Sequence, residues 1–578
     1  MKLNYKKTVY VGFAFFLICA FWQAYDTIVP MMLVNKFGMN QTWSGVIMSL
    51  DNILALFMLP LFGSISDKTK TRFGRRTPYI VLGTIAAVIA FTGLTFADNA
   101  QLNRLGDVNS TEFYSELFDL NPTVSNAEYN SIYNKDVSKT YKLQDYVSNI
   151  VCGKSYSETS ETEKASVEEW YKSINKEYFK DHSSAETEYY YNGGKYFTVT
   201  SEQNNGSTAY YYIADGGAKT ELKKSEISNA YSNLITTARS NYAWRETTAH
   251  PAPLIFFALL LLLTLIAMAS FRSPAVALMP DVTVKPLRSQ ANAVINLMGT
   301  AGGMLVLVLG MVFKTGKTFN QLMKYTGFIG AVCAVIVLGL LIFIWKVKEP
   351  KWVKDMQDES AAQGLDTAVD DESKLKSGNK KLTKPELTSL ILILCSVALW
   401  FIGYNAVTSK YSLYATNVLH KDYNTTLLIA QAAAIISYLP VGLVAEKIGR
   451  KRSILTGIII LTAAFTGAIF LKASSPAFIL DIMFALAGIG WATINVNSFP
   501  MVVELASGSN VGKFTGYYYT ASMSAQILTP ILSGLLMDWA GNMNPLFYYA
   551  AFFVAMSFIT MLFVKHGDSK LKNAGGKA

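Results

Sequence analysis

The sequence predicts an all-α membrane protein: twelve transmembrane helices in two pseudo-symmetric six-helix bundles, with a small extracellular α+β insertion between helices three and four. Three observations lead there. Apolar runs long enough to cross a bilayer recur toward both ends of a 578-residue chain that is 51% hydrophobic and 16% charged, a balance that suits a polytopic protein and not a soluble enzyme. A basic loop opened by glycine appears twice, once in each half. Between the third and fourth runs, residues 98–251 hold no spanning run and carry 17 of the 32 tyrosines.

The first copy of the loop is Gly63-Ser-Ile-Ser-Asp67-Lys-Thr-Lys-Thr-Arg72-Phe-Gly74-Arg75-Arg76-Thr-Pro78, between apolar runs 43–62 and 79–97. Five basic residues against one acid place it on the cytoplasmic side by the positive-inside rule. The second copy is Gly442-Leu-Val-Ala-Glu446-Lys447-Ile-Gly449-Arg450-Lys451-Arg452. In both, a carboxylate follows the glycine by four positions, and the loop closes on Gly-Arg and a further basic residue. A single basic loop does no more than fix topology. A repeated one implies duplicated bundles related by an internal pseudo-twofold.

Charge separates the insertion from the rest. The net charge is +10, yet between Asp98 and His250 there are 15 Lys/Arg and 22 Asp/Glu, a net of −7, which leaves +17 elsewhere. The basic residues collect in loops between spans, so they report topology and not a nucleic-acid partner. Of the four cysteines, Cys19, Cys333 and Cys395 lie in apolar runs and Cys152 stands alone in the insertion; no disulfide framework or thiolate metal site follows. The short basic start, Met1 to Lys7, leads straight into a retained first span, so both termini are expected in the cytoplasm.

Taken in order, residues 1–97 supply helices one to three. The first span, about 8–33, carries Trp22, Gln23, Tyr25 and Asp26, and the second carries Asp51 and Asn52 in its outer part. The insertion, 98–251, reads as helix over 164–182, then strand, Gly-Gly turn, strand, Asn-Asn-Gly turn and strand over 188–213. Residues 252–345 give helices four to six, with Arg272 and Pro274 in the inner third of the fourth and Gly299, Gly302 and Gly303 marking a close helix contact in the fifth. Residues 346–385 form a polar cytoplasmic linker. The second bundle, 386–565, supplies runs at about 386–409, 424–445, 453–472, 476–500, 514–538 and 546–565, and 566–578 is a basic cytoplasmic tail.

The two loops resemble the signature loops of the major facilitator superfamily. The longer first loop, with Arg272 to Asn292 and Lys346 to Pro350, is similar to the glycoside–pentoside–hexuronide cation symporters and the related sucrose carriers. The resemblance implies alternating access around a midplane site and a gating role for Gly63, Asp67, Arg72, Gly74, Arg75, Arg76, Asp281, Arg288, Gly442, Glu446, Gly449 and Arg450. Charge networks among Asp67, Arg75, Glu446 and Arg450 are expected on the cytoplasmic side. The acids through which those families couple transport to an ion are missing, because the matching positions are Leu265, Leu59 and Ala55.

A sugar site needs hydrogen-bonding groups for hydroxyls and a flat aromatic for the C–H face of the ring. Trp22, Gln23, Tyr25, Tyr404, Asn405, Asn495 and Asn497 are the candidates. A coupling ion needs a carboxylate whose charge is tolerated only with a cation or proton beside it; Asp26 and Asp51 qualify, with Arg272 as counter-charge. For each polar residue the alternative is plain helix–helix hydrogen bonding; for Asp26 it is hydration near a helix end. The expected function is a secondary active transporter of the plasma membrane that takes up a sugar or glycoside with H⁺ or Na⁺. A facilitator or exporter of another small metabolite is the alternative in transport, and a surface receptor using the insertion is the alternative from another class. No Gly-x4-Gly-Lys-Ser/Thr loop or His-Glu-x-x-His motif points to an enzyme. No cofactor beyond the coupling ion and no metal is expected, and the chain is expected to act as a monomer in the lipid bilayer.

Overall fold

Asparagine and threonine caps set where several long helices begin, and apolar residues on all sides let those helices lie in lipid. The computed structural model describes residues 3–106, 111–124, 141–180, 189–192, 195–204, 207–213, 218–222, 227–228, 230–284, 287–317, 321–362, 383–472, 475–505 and 511–567. In the first bundle, α1 (Tyr5–Met31) is capped by Asn4 and runs into a π-helical turn, Met32–Lys36, just past Pro30. Asn40 caps α2 (Gln41–Lys68), and α3 spans Thr77–Leu105. After the insertion come α8 (Ala252–Val282), α9 (Arg288–Val312) and α10 (Thr326–Lys346).

The second bundle comprises α12 (Lys384–Asn417), opened by a Thr383/Glu386 capping box, α13 (Tyr423–Ile448), α14 (Arg450–Ile469), α15 (Ala477–Val503), α16 (Val511–Ala540) and α17 (Pro545–Leu562). Among the described residues, eleven helices are long and apolar enough to cross a membrane. The 26-residue α13 fills the eighth place, packed on α9 and α15. In the first bundle α1 packs on α9 and α3 on α8; in the second α12 packs on α16 and α14 on α15. Those pairs correspond one to one across the halves, which is the duplication that the repeated loop announces.

Within the insertion, α4 (Thr111–Leu120), α5 (Leu143–Cys152), α6 (Glu161–Lys180) and α7 (Ala230–Ala249) accompany a two-stranded sheet, β1 (Thr123–Val124) with β2 (Tyr141–Lys142). A second, five-stranded sheet holds β3 (Tyr189–Asn192), β4 (Lys195–Asn204), β5 (Ser207–Ile213), β6 (Lys219–Leu222) and β7 (Ile227–Ser228). Its order is β6-β5-β4-β3-β7, antiparallel throughout, with Val199 opposite Tyr212. The three strands expected over 188–213 are present, and Gly193, Gly194, Asn205 and Gly206 of the two expected turns lie outside the described residues.

Several segments differ from the sequence reading: α2 runs on to Lys68 and α13 to Ile448, each into its basic loop, and α12 runs on to Asn417. The third helix does not stop near Ala97 but continues to Leu105, because Asp98 is neutralised inside the bundle by Lys36, with Nζ–O distances of 2.6 and 2.7 Å. The stretch after the sixth span is not all irregular: α11 (Glu349–Ala362) packs against α8. Residues 363–382 of the expected linker and 568–578 of the tail lie outside the described residues. Cys19, Cys333 and Cys395 are free thiols.

Candidate functional site

The first bundle's face with the 63–78 loop and the opposite face with the insertion are the two ends of the molecule. Between them, where the bundles meet, lies a cavity of about 170 Å³ lined by residues of α1, α2, α8, α12 and α16. Five sequence candidates come together there: Trp22, Asp26, Asp51, Arg272 and Asn405. Trp22 and Asp26 are four positions apart in α1, hence on one face one turn apart. Asp51 and Asn52 approach from α2, where the Asn52 amide donates to the Asp51 carboxylate at 2.7 Å. The Arg272 guanidinium lies 5.6 Å from the centre of the Trp22 ring, a cation–π distance.

Among the described residues, none of these charges meets an opposite charge at contact range. Neither Asp26 nor Asp51 forms an ion pair with Arg272 among the described residues. Two donors on the wall, Trp22 Nε1 and Asn405 Nδ2, are buried with no acceptor among the described residues. Buried polar groups without partners are costly, so a wall that presents two carboxylates, a guanidinium and two orphan N–H groups is built to meet something. With both acids ionised, the cluster carries one net negative charge.

The sequence reading did not select Asn52, Thr408, Ser409 and Gln526, which also line the cavity. Asn52 and Gln526 were visible as polar breaks in apolar runs. Thr408 and Ser409 are common enough inside helices to give no signal.

The other five substrate candidates do not line the cavity. Gln23 accepts from Gln431 Nε2 at 2.6 Å and so bridges the two bundles. Tyr25 is fully buried, with its ring edge-on to Trp22 and near-parallel to Phe21. Tyr404 stacks on Trp491 at 3.7 Å. Asn497 turns back to the Thr493 carbonyl at 2.9 Å, and Asn495 is exposed.

The loop residues form two matched clusters. Arg75 and Arg76 at the start of α3 both reach Asp281 at the end of α8, at 2.6 and 2.8 Å, and Arg76 also pairs with Asp67. In the second bundle Arg450, at the start of α14, pairs with Glu504 at the end of α15. Gly74 and Gly449 hold φ of +107° and +93° just before those arginines, a conformation that favours glycine. Arg288 bonds the carbonyls of Pro280 and Thr283, closing the end of α8, and Arg72 lies over the Phe73 ring. Gly63 faces the Ser273 hydroxyl, and Gly442 has open space where a Cβ would stand. The side chain of Glu446 lies outside the described residues. The sequence reading left Glu349 out of this set. Its buried carboxylate accepts from the N–H groups of Arg75, Arg76 and Thr77 at 2.8 to 2.9 Å and caps α3.

A family model described as Major Facilitator Superfamily matches residues 240–437 and 421–578, more than half of the chain. The chain belongs to the major facilitator superfamily. A second model of that superfamily, described as MFS/sugar transport protein, matches residues 11–102, the part that contains Trp22, Asp26, Asp51 and the first loop. This superfamily member is 37% identical over 57 residues to the sucrose transport protein SUC4 of Arabidopsis thaliana; the match covers 10% of this chain and 11% of that one. In fold it is similar to the xylose transporter XylE of E. coli, at TM-score 0.56 and 11% identity over 98% of both chains. A POT family transporter solved with 5-aminolevulinic acid is also similar, at TM-score 0.52 and 8% identity over 97% of this chain and 95% of that one. The protein is therefore a multi-pass membrane transporter and not an enzyme.

Proposed function

We propose that this transporter moves a sugar or glycoside across the plasma membrane together with H⁺ or Na⁺, by alternating access, with the loop face cytoplasmic and the insertion outside. One observation carries the reading: Asp26, Asp51, Arg272, Trp22 and Asn405 converge on one cavity between the bundles, where two carboxylates can accept and two N–H donors have no partner among the described residues. A sugar hydroxyl both donates and accepts, so a polyol satisfies both sets, and the indole offers a flat face to the ring. The residual negative charge calls for one monovalent cation or proton, and a carboxylate pair suits either. The superfamily's MFS/sugar transport protein model, on 11–102, supports the substrate class.

A facilitator that needs no ion is the second reading. The leucines and alanine at positions 265, 59 and 55, where the resembling carriers hold their coupling acids, favour it. Uptake into liposomes holding the purified protein separates the two. A panel of labelled sugars is offered with and without an imposed proton or sodium gradient. Coupling predicts accumulation above the outside concentration only with the gradient. Uptake that levels at equal concentrations under both gradients supports the facilitator, and no uptake of any sugar contradicts the substrate class.

A further inference from the structure

The insertion is seated on the first bundle through its last helix. Gly38, at φ +68° beyond the π turn, lies so close to the Ser240 carbonyl and the Trp244 backbone that a Cβ would overlap both. Gln101, near the end of α3, donates through Nε2 to Thr247 of α7 at 2.9 Å and to the Lys36 carbonyl at 3.0 Å. Lys36 is fully buried beneath, held by Asp98, by the Met323 carbonyl at 2.8 Å and by the Tyr325 ring at 4.1 Å. A buried ion pair with further partners fixes geometry, since neither charge can leave without stranding the other. Helix α7 is thereby fastened to the ends of α1, α3 and α10.

From that position α7 reaches toward the second bundle. Arg239 donates through Nη2 to Gln321 Oε1 at 2.7 Å. Gln321 Nε2 then donates across the bundle boundary to Asn417 Oδ1 at 2.8 Å and to the Thr416 carbonyl at 3.2 Å, both at the end of α12. Asn417 returns a bond from Nδ2 to Asn35 of the first bundle at 3.3 Å. All of these side chains are buried. A glutamine amide has one accepting end and one donating end. A guanidinium held against the oxygen allows one orientation, with the NH2 group facing the second bundle.

We propose that the insertion is a working part of the gate on its own face: Arg239 of α7 is a positioning residue that aims the Gln321 amide at Thr416 and Asn417 and so holds the two bundles together there. Opening toward the insertion must break the Gln321 bonds while α7, anchored to the first bundle, moves with that bundle. The insertion then sets how readily the cavity opens outward, and anything that binds and shifts α7 changes that equilibrium. This rests on the alternating-access reading. The test reads gate opening and not transport, so its failure leaves that reading standing.

The reporter is Ser409→Cys on the cavity wall, in the full chain with the four native cysteines replaced, labelled by a membrane-impermeant thiol reagent added from the insertion face. Gln321→Glu keeps an acceptor for Arg239 but sets a carboxylate oxygen against two acceptors, so α7 stays docked while the bridge is lost. The expected result is labelling about tenfold faster than with Gln321, the change that one charge-linked hydrogen bond carries. Arg239→Ala, which frees the amide to turn, is expected to accelerate labelling in the same direction. Labelling in Gln321→Glu at the rate of the parent overturns the proposal. So does acceleration in Arg239→Ala alone, because α7 would then act only as a cover.

Discussion

Asp538, at the end of α16 in the second bundle, caps the amino terminus of α2 in the first. Its carboxylate accepts from the backbone N–H groups of Gln41 and Thr42 at 2.9 and 2.8 Å, and from the Thr42 hydroxyl. The buried Lys410 of α12 donates to the Gln41 carbonyl at 2.7 Å from the same side. A carboxylate at a helix amino terminus meets both unsatisfied N–H groups and the positive end of the helix dipole. Here cap and helix belong to different bundles, so the cap exists only while the bundles touch. Gly45 against the Pro530 carbonyl and Gly534 against that of Gln41 make the approach possible.

Removing that cap is expected to favour opening toward the insertion. Asp538→Ala loses bonds from a charged acceptor, worth about 2 kcal/mol, or roughly thirtyfold in the equilibrium between the two faces. Asp538→Asn retains an acceptor and is expected to shift it less. Thiol labelling of a cavity residue from each side checks this, with faster labelling from the insertion face and slower from the other.

On the loop face, Glu349 and Gly74 are expected to act as one unit of stability. Glu349→Ala strips the cap from α3 and leaves three N–H groups near a bundle surface, a loss of about 2 kcal/mol. Gly74→Ala adds a Cβ where the Glu349 carboxyl stands, at a φ that side chains avoid. Both variants are expected to lower the thermal midpoint in detergent. The double variant is expected to fall short of the sum, because either change already displaces the same carboxylate.

His420, in the short turn between α12 and α13, supplies a pH dependence outside the membrane-spanning segments. Burial pushes its imidazole down to about 4 from 6.5, with Lys421 adding to the effect. The folded state therefore binds the proton less readily than the unfolded chain. Stability from this group is complete above about pH 6.5, declines as pH falls, and is fully lost near pH 4, at a cost of up to about 3 kcal/mol. His420→Asn tolerates the positive φ of 51° at this position. It is expected to flatten the dependence of unfolding on pH between 6.5 and 4.

Much of this was legible from composition alone, for a physical reason. Spanning helices must satisfy their backbones internally and face lipid, so they appear as long apolar runs. Charges inside such runs are rare enough that Asp26, Asp51 and Arg272 stand out one at a time, and all three line the cavity. Tyr404 and Gln23 do not line it, because an aromatic or an amide serves stacking or bridging as readily as a ligand, and only its neighbours decide. Lys36 with Asp98, Lys410 with Gln41 and Arg239 with Gln321 were hidden because each pair joins residues at least 62 positions apart. The alternating tyrosines of 188–213 exposed three strands; the partners β6 and β7 are too short to show a period.

In the proposed symport Asp26 couples solute movement to an ion, and uptake by Asp26→Asn in liposomes reads that coupling. Two rates are taken on the same preparation: gradient-driven accumulation of a transported sugar, and exchange of labelled for unlabelled sugar with no gradient. If Asp26 carries the proton or shares the cation with Asp51, the amide can hold neither, so accumulation is abolished while exchange persists near the parental rate. Accumulation that survives in Asp26→Asn contradicts the account and places any coupling group elsewhere in the chain.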